Sequence, residues 1–300
     1  MIDDTDNHRM DIRALETFVA VAEELHFGAA ADRLHVVQST VSASIHSLER
    51  ELGAALFARS TRSVALTAAG ASALPAAREA LAAVERLREA VDETGAGIRG
   101  SLRFGTFAAL VIVDLPRILA RFRSVAPLVE VRLSTSPTGS TGLAEDLRAG
   151  RLDIALLALP PEQLTGLTTV TASEHRFVAV LPLDHPLAAR ASLSLRELRD
   201  EPFVDTSAGF GNRVMLDATF AARGLHRTVA IEVADLAAIG GFVGAGFGVA
   251  VTPEGLAPVH PDTVVVPLAG DPLIWRVSVA TGASPSSAAR RLMALFAERS

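Results

Sequence analysis

Between residues 10 and 67, apolar positions recur with a helical period and are separated by short polar turns. Leu15, Phe18, Val19 and Ala22 follow i, i+3, i+4, i+7 spacing, which puts one apolar stripe on a helix. Phe27-Gly28 interrupts that stripe, Ala29 to Leu34 reads as a short second helix, and His35-Val36-Val37 as a turn. Ser39 to Glu51 predicts a third helix, with Gly53 just beyond it as a helix stop. Arg62 to Leu66 then alternates like a short strand. A longer helix is expected from Thr67 to about Thr94, with Leu74, Leu81, Val84, Leu87 and Val91 roughly on one stripe. Arg78, Glu85 and Arg88 lie away from its centre. Pro75 should end or kink its first turns, because the ring removes a donor and crowds the preceding turn. Gly95-Ala96-Gly97 reads as a linker.

After Gly100 the pattern changes. Strand-like runs occur at Leu102 to Gly105, Val129 to Leu133, Ile154 to Leu159, Phe177 to Leu181, Phe203-Val204, Val229 to Val233, Val249 to Thr252 and Val264 to Leu268. Helices are expected at Leu115 to Arg123 and Leu143 to Ala149. Strands separated by helices imply βαβ units and a parallel sheet.

Two helices joined by a tight turn can form a helix-turn-helix, whose second helix enters a DNA major groove. At about 100° per residue, Val41, Ile45, Leu48 and Leu52 share one face of the third helix. The opposite face carries Ser39, Thr40, Ala43, His46, Ser47 and Arg50, with Gln38 and Ser42 on the flanks near its start. Small hydroxyls and amides allow close approach and hydrogen-bond base edges and phosphates. The strand that follows, with Arg59 and Arg62 beside it, would form a wing whose arginines meet the phosphate backbone. On periodicity alone, a small helical bundle with a polar exposed face fits equally well. His46 reads either as a pH-sensitive phosphate contact or as a neutral surface histidine.

The net charge of −6 excludes a chain that coats nucleic acid with its whole surface, so any DNA contact must be local. There is no cysteine, which excludes disulfides, thiolate metal sites and a cysteine nucleophile. There is no lysine either. No long apolar run predicts a membrane span. The start MIDDTDNHRM lacks the basic, then apolar, order of a secretory signal, so a cytoplasmic protein is expected. The histidines show no metal-ligand spacing. Gly139-Ser140-Thr141-Gly142 lacks the spacing of a nucleophile elbow, and Gly244 to Pro253 lacks the ending of a phosphate loop. An enzyme is therefore not expected, and no cofactor beyond a small-molecule effector.

The run Gln38-Ser39-Thr40-Val41-Ser42-Ala43-Ser44-Ile45-His46-Ser47-Leu48-Glu49, then Leu52-Gly53, Leu56-Phe57-Ala58-Arg59 and Val64-Ala65-Leu66-Thr67-Ala68-Ala69-Gly70, resembles the signature of bacterial LysR-type transcriptional regulators. Leu15 to Phe18 and Phe27 to Leu34 fit it too, and the resemblance extends past Ser101 to nearly the whole chain. The family usually has proline or alanine where Thr40 stands, often a basic residue at Ala43 and His46, and glutamine at Ser44.

The resemblance implies an α+β multidomain chain. A winged helix-turn-helix would occupy residues 10–67, a linker and dimerisation helix 68–97, and a two-lobed α/β effector domain of periplasmic-binding-protein-like fold 98–300. Lobe I would cover about 101–170 and 267–300, and lobe II about 171–266. DNA contacts are expected from Gln38, Ser39, Thr40, Ser42, Ala43, His46, Arg59 and Arg62. Ligands of open α/β sheets bind beyond the carboxyl ends of strands. Thr106 and Phe107 are the first candidates, the threonine reading equally as a cap for the next helix. Ser136, Leu159, Pro160, Asp205, Phe210, Asn212, Val249 and Pro253 stand at matching positions. Asp205 would repel an anion and select a cationic or hydroxylated effector, or it is a turn residue. Expected partners are double-stranded operator DNA, a small-molecule effector, a second copy in a homodimer or tetramer, and RNA polymerase.

Overall fold

The computed structural model describes residues 11–59, 63–92, 97–107, 113–256 and 260–298, with the side chains of 88–92 outside that description. Arg62, Ala108, the Val91 and Arg88 side chains and most of the expected linker thus fall outside it. The chain divides at about Gly95 into two compact units.

In the first unit, α1 (Ile12–Glu24), α2 (Phe27–Leu34) and α3 (Gln38–Leu52) arise where the apolar period requires them. The Asp11 carboxylate caps α1 by accepting the Ala14 N–H at 2.8 Å. The His26 ring caps α2 by accepting the Ala29 N–H at 3.0 Å, so Phe27 opens that helix rather than interrupting a pattern. Phe18, Val21, Phe27, Val41, Ile45, Leu48 and Phe57 close a small core. The Phe57 ring meets Phe18 and Phe27 edge-on, with centroids 5.6 and 5.9 Å apart. The buried stripe of α1 therefore centres on Phe18 and Val21, while Leu15 and Ala22 flank it half-buried, because α2, α3 and α4 all pack against α1. Leu52, expected on the inner face, is 42% exposed, since the last residue of α3 overruns the core.

Two short strands, β1 (Phe57–Arg59) and β2 (Val64–Leu66), pair antiparallel as the wing. The Thr67 hydroxyl accepts the Gly70 N–H at 3.0 Å and donates to the Ala55 carbonyl at 2.6 Å, which starts α4 (Ala68–Asp92). That helix continues through Pro75. One ladder bond is lost there, but Leu74 and Ala77 on either side are buried against the head, and their burial outweighs the loss. Arg78 is not on an open polar side: it is buried, and donates to Glu23 of α1 at 2.8 Å. Burial alone raises the Glu23 carboxyl; hydrogen bonds from Arg78 and Arg33 outweigh it and hold the group below the usual carboxylate range.

The second unit runs β3 (Arg99–Thr106), α5 (Leu115–Val125), β4 (Leu128–Thr135), α6 (Gly139–Arg148), β5 (Ile154–Leu157), β6 (Thr168–Pro182), β7 (Pro202–Thr206), α7 (Gly211–Ala222), β8 (Thr228–Val233), α8 (Ile239–Gly244), β9 (Ala250–Pro253), β10 (Thr263–Pro267), β11 (Ile274–Thr281) and α9 (Ser287–Ala297). Parallel pairing holds for β3 with β4 and β5, and for β7 with β8. The sheet as a whole is mixed, because β11 runs antiparallel between β5 and β6. The expected all-parallel sheet is corrected by that returning strand.

Strand β6 belongs to both lobes. Its residues up to Arg176 pair with β11, and from Phe177 onward it pairs with β9 and β10. The chain returns at Leu273, whose carbonyl accepts the Phe177 N–H at 2.9 Å. The crossings thus lie at about 176 and 273, against 170 and 267 expected from sequence. Phe104, Phe122, Phe203, Trp275 and Phe296 anchor the buried core of this unit.

Candidate functional site

Helix α3 turns Val41, Ile45 and Leu48 inward, each at most 1% exposed. Its other side is then committed to solvent. Gln38, Ser39, Thr40, Ala43 and His46 are exposed, and Ser42 is half-buried on the flank. Val37 precedes the helix in extended conformation and makes no side-chain cap. The Thr40 N–H donates to the Val37 carbonyl at 3.0 Å, while the Gln38 and Ser39 N–H groups at the start of α3 receive no side-chain cap and stand beside small hydroxyls, as an anion-binding end.

Arg59 stands on β1 next to this helix. Its guanidinium lies 4.5 Å from the Phe27 ring centroid, 3.3 Å from the His46 ring and 3.4 Å from the Glu49 carboxylate. Glu49 is the residue that sequence reasoning left without a role. Its Oε1 accepts the Leu56 and Phe57 N–H groups at 2.9 and 3.3 Å, while Oε2 holds Arg59. One carboxylate thus ties the wing to the reading helix. The signal was its place in the quoted signature, but nothing local marked its partners.

In the second unit, a crevice between the lobes is lined by Phe107, Ser140, Phe210, Gly211, Asn212, Ala234, Asp235, Leu236 and Trp275. It leaves about 20 Å³ of free space, room for roughly one water. The lobes touch here backbone to backbone. A Cβ on Gly211 would lie 2.0 Å from the Ala158 carbonyl oxygen, and one on Gly139 (φ 57°) 2.9 Å from Phe210, so only glycine permits the closure. Hydrogen-bonding capacity remains around the void. Trp275 is buried and its Nε1–H has no partner among the described residues. The Ser140 oxygen accepts the Ala158 N–H at 3.1 Å, which leaves its O–H free to donate. Asp235 accepts the Ala237 N–H through Oδ1 at 3.0 Å.

Phe107, Phe210 and Asn212 line the crevice. Thr106 is buried at the end of β3 and donates to the Phe107 carbonyl at 3.2 Å; the helix start expected after it lies outside the described residues. Leu159 and Pro160 line a separate, larger cavity. Ser136 accepts the Thr138 N–H at 3.4 Å and covers Gly142, closing the loop before α6. Val249 lies in the core with its N–H and carbonyl bonded to Pro202 and Val204, and Pro253 is buried opposite Phe177; neither reaches a cavity. Asp205 is corrected most. It lines neither cavity and pairs with Arg227 at 2.7 Å, both side chains at most 3% exposed. Burial pushes its carboxyl up against the pull of Arg227 and the Thr206 N–H. Its charge is spent inside the lobe, where Oδ1 accepts the Asn212 amide at 2.9 Å and so orients a crevice residue. Sequence reasoning missed Arg227, Ser140, Asp235 and Trp275, although Trp275 is the chain's single tryptophan.

A DNA-reading head and a two-lobed sensing domain in one chain define a ligand-responsive regulator. Residues 12–71 match the family described as "Bacterial regulatory helix-turn-helix protein, lysR family", and residues 95–300 match "LysR substrate binding domain". The chain is 41% identical over 265 residues to the HTH-type transcriptional regulator ShiR of Corynebacterium glutamicum, covering 86% of this chain and 88% of ShiR. It is 35% identical over 247 residues to AlsR of Bacillus subtilis, covering 82% and 81%. A full-length OxyR variant from Pseudomonas aeruginosa has the same fold, with a TM-score of 0.76 and 27% identity over 97% of this chain and 95% of that one. HinK from the same organism superposes with a TM-score of 0.56 at 27% identity, over 97% and 99%. The chain belongs to the LysR family of DNA-binding transcriptional regulators, and is a regulator rather than an enzyme. Among the described residues no helix is long and apolar enough to cross a membrane, and no cluster of His, Asp and Glu could hold a metal ion.

Proposed function

We propose that the chain acts in the cytoplasm as a homodimer, paired into tetramers, which places two or more copies of α3 on a double-stranded operator. A two-fold pair matches a palindromic site, whereas one head spans only a half-site. The observation that carries the DNA reading is the division of α3 into a buried Val41–Ile45–Leu48 side and an exposed Gln38–Thr40 start that has no side-chain cap. Gln38, Thr40 and Ser42 read base edges, while Ser39, His46, Arg59 and Arg62 contact phosphates. Selection from a randomised duplex library tests this: an enriched two-half-site sequence is expected, and no retention at low salt overturns it.

The effector sits in the interlobe crevice, among Phe107, Ser140, Phe210, Asn212, Asp235 and Trp275. The free space in the crevice is far smaller than a metabolite, so binding parts the lobes around the Gly211–Ala158 contact. An effector that prefers the parted arrangement shifts the assembly's geometry, the bending of the operator and the response of RNA polymerase. Operator affinity and bending measured against candidate metabolites test this coupling. A tightly bound crevice ligand that changes neither overturns it.

A further inference from the structure

A second cavity, of about 410 Å³, opens on the face of β6 and β11 turned away from Trp275. That volume lies within the range of small-molecule sites. Strand alternation explains it. Ile274, Arg276 and Ser278 of β11 line this cavity, while Trp275 between them serves the crevice. Thr169 of β6 lies beside them, and Leu159, Leu164 and Met215 supply apolar walls.

The polar groups point to one kind of ligand. Ser278 is 3% exposed, lines the cavity and makes no side-chain hydrogen bond among the described residues. The Thr169 hydroxyl is likewise unpartnered there. Arg276 uses Nε on Glu174 at 2.6 Å, which fixes the guanidinium and leaves both terminal nitrogens for a ligand. Glu174 does not line the cavity, nor does any other carboxylate. One cation, open hydroxyls and apolar walls recognise an anion with a compact apolar body.

We propose that this cavity is a second small-molecule site, for a small carboxylic acid, separate from the interlobe crevice. It is wired to the crevice by shared elements. β11 presents Trp275 to one and Arg276 to the other, α7 presents Asn212 to one and Met215 to the other, and Ala158 stands between them. A carboxylate held by Arg276 stiffens β11 and so biases the lobes on which the crevice depends.

The test uses the full chain, with cyclohexanecarboxylate as probe and cyclohexylmethylammonium and acetate as controls for charge and apolar body. Calorimetry measures affinity, and the emission of Trp275, in a chain without tyrosine, reports the strand. Saturable binding of cyclohexanecarboxylate is expected, about tenfold or more tighter than either control. Arg276→Gln should weaken it about tenfold, and Thr169→Trp, an exposed substitution that fills the cavity, should abolish it. No saturable binding, or equal binding of the ammonium probe, overturns the proposal. So does loss of binding in Asn212→Ala with Thr169→Trp neutral, which moves the probe to the crevice. Operator binding without any probe is measured separately, so failure here leaves the DNA reading standing.

Discussion

The DNA-reading head and the sensing domain solve opposite problems with polar residues. In the head, Gln38, Ser39, Thr40 and His46 stay in water, and a single helix of 15 residues carries nearly all of them. In the sensing domain the working groups come from the ends of separate elements, between Phe107 and Trp275, and close on a void of about 20 Å³. The head is built so that its free groups are exposed. The sensor sets two buried charges, Asp205 and Arg227, against each other, and leaves one indole N–H beside the crevice without a partner among the described residues. A charge is therefore a reliable guide to function on the head and a poor one in the sensor, where burial decides what a carboxylate can do.

The largest test of this contrast is Ile45→Ala. The side chain is fully buried, and its truncation should cost about 3 kcal/mol of head stability. The loss of helical circular dichroism should begin at lower temperature, while the Trp275 emission transition stays in place. A common shift of both would merge the two regions into one cooperative unit. Gly211→Val drives a side chain into the Ala158 carbonyl and should destabilise the sensor by about 1–3 kcal/mol. Its signature is a red shift of Trp275 emission as water enters the crevice; unchanged emission would mean the lobes do not close through this contact.

Thr40→Ala or Ser42→Ala should change discrimination at one operator position by about 1–3 kcal/mol. Identical profiles over a randomised operator library would remove base reading from these hydroxyls. Arg59→Ala should weaken binding to all sequences and lower the slope of log affinity against log salt by about 0.9. A full slope would assign Arg59 wholly to Glu49 and Phe27. The smallest effect concerns pH. The Glu23 carboxyl is held down in the fold, so its contribution is present above its unfolded value near 4.5 and disappears as pH falls through the folded one. Glu23→Gln should therefore cost about 1 kcal/mol at neutral pH and converge with the parent chain in acid. Parallel stability curves would deny the carboxylate this role.

Legibility along the chain follows the same division. The inward triad of α3, the wing and most strands could be read directly, because one buried face imposes a period of 3.6 or 2 on neighbouring residues. Leu52 was misjudged because period says nothing about where a core ends. Pro75 was misjudged because local chemistry forbids what the packing of Leu74 and Ala77 sustains. Strand β11 was not expected from the sequence, although Trp275, Val277 and Val279 alternate, and its place between β5 and β6 has no local signal.

From amino-acid order alone came the reading helix, its polar tip, the wing and the strands and helices as far as β5, since each is a property of residues a few positions apart, whereas α7, α8, β11 and α9 went unread. Which carboxylate is free and which is neutralised, which strand divides the crevice from the second cavity, and how far the lobes close came from packing. Those features join Asp205 to Arg227, Ala158 to Gly211 and Thr171 to Ser278, pairings between separated stretches of chain that carry no periodic imprint in the sequence.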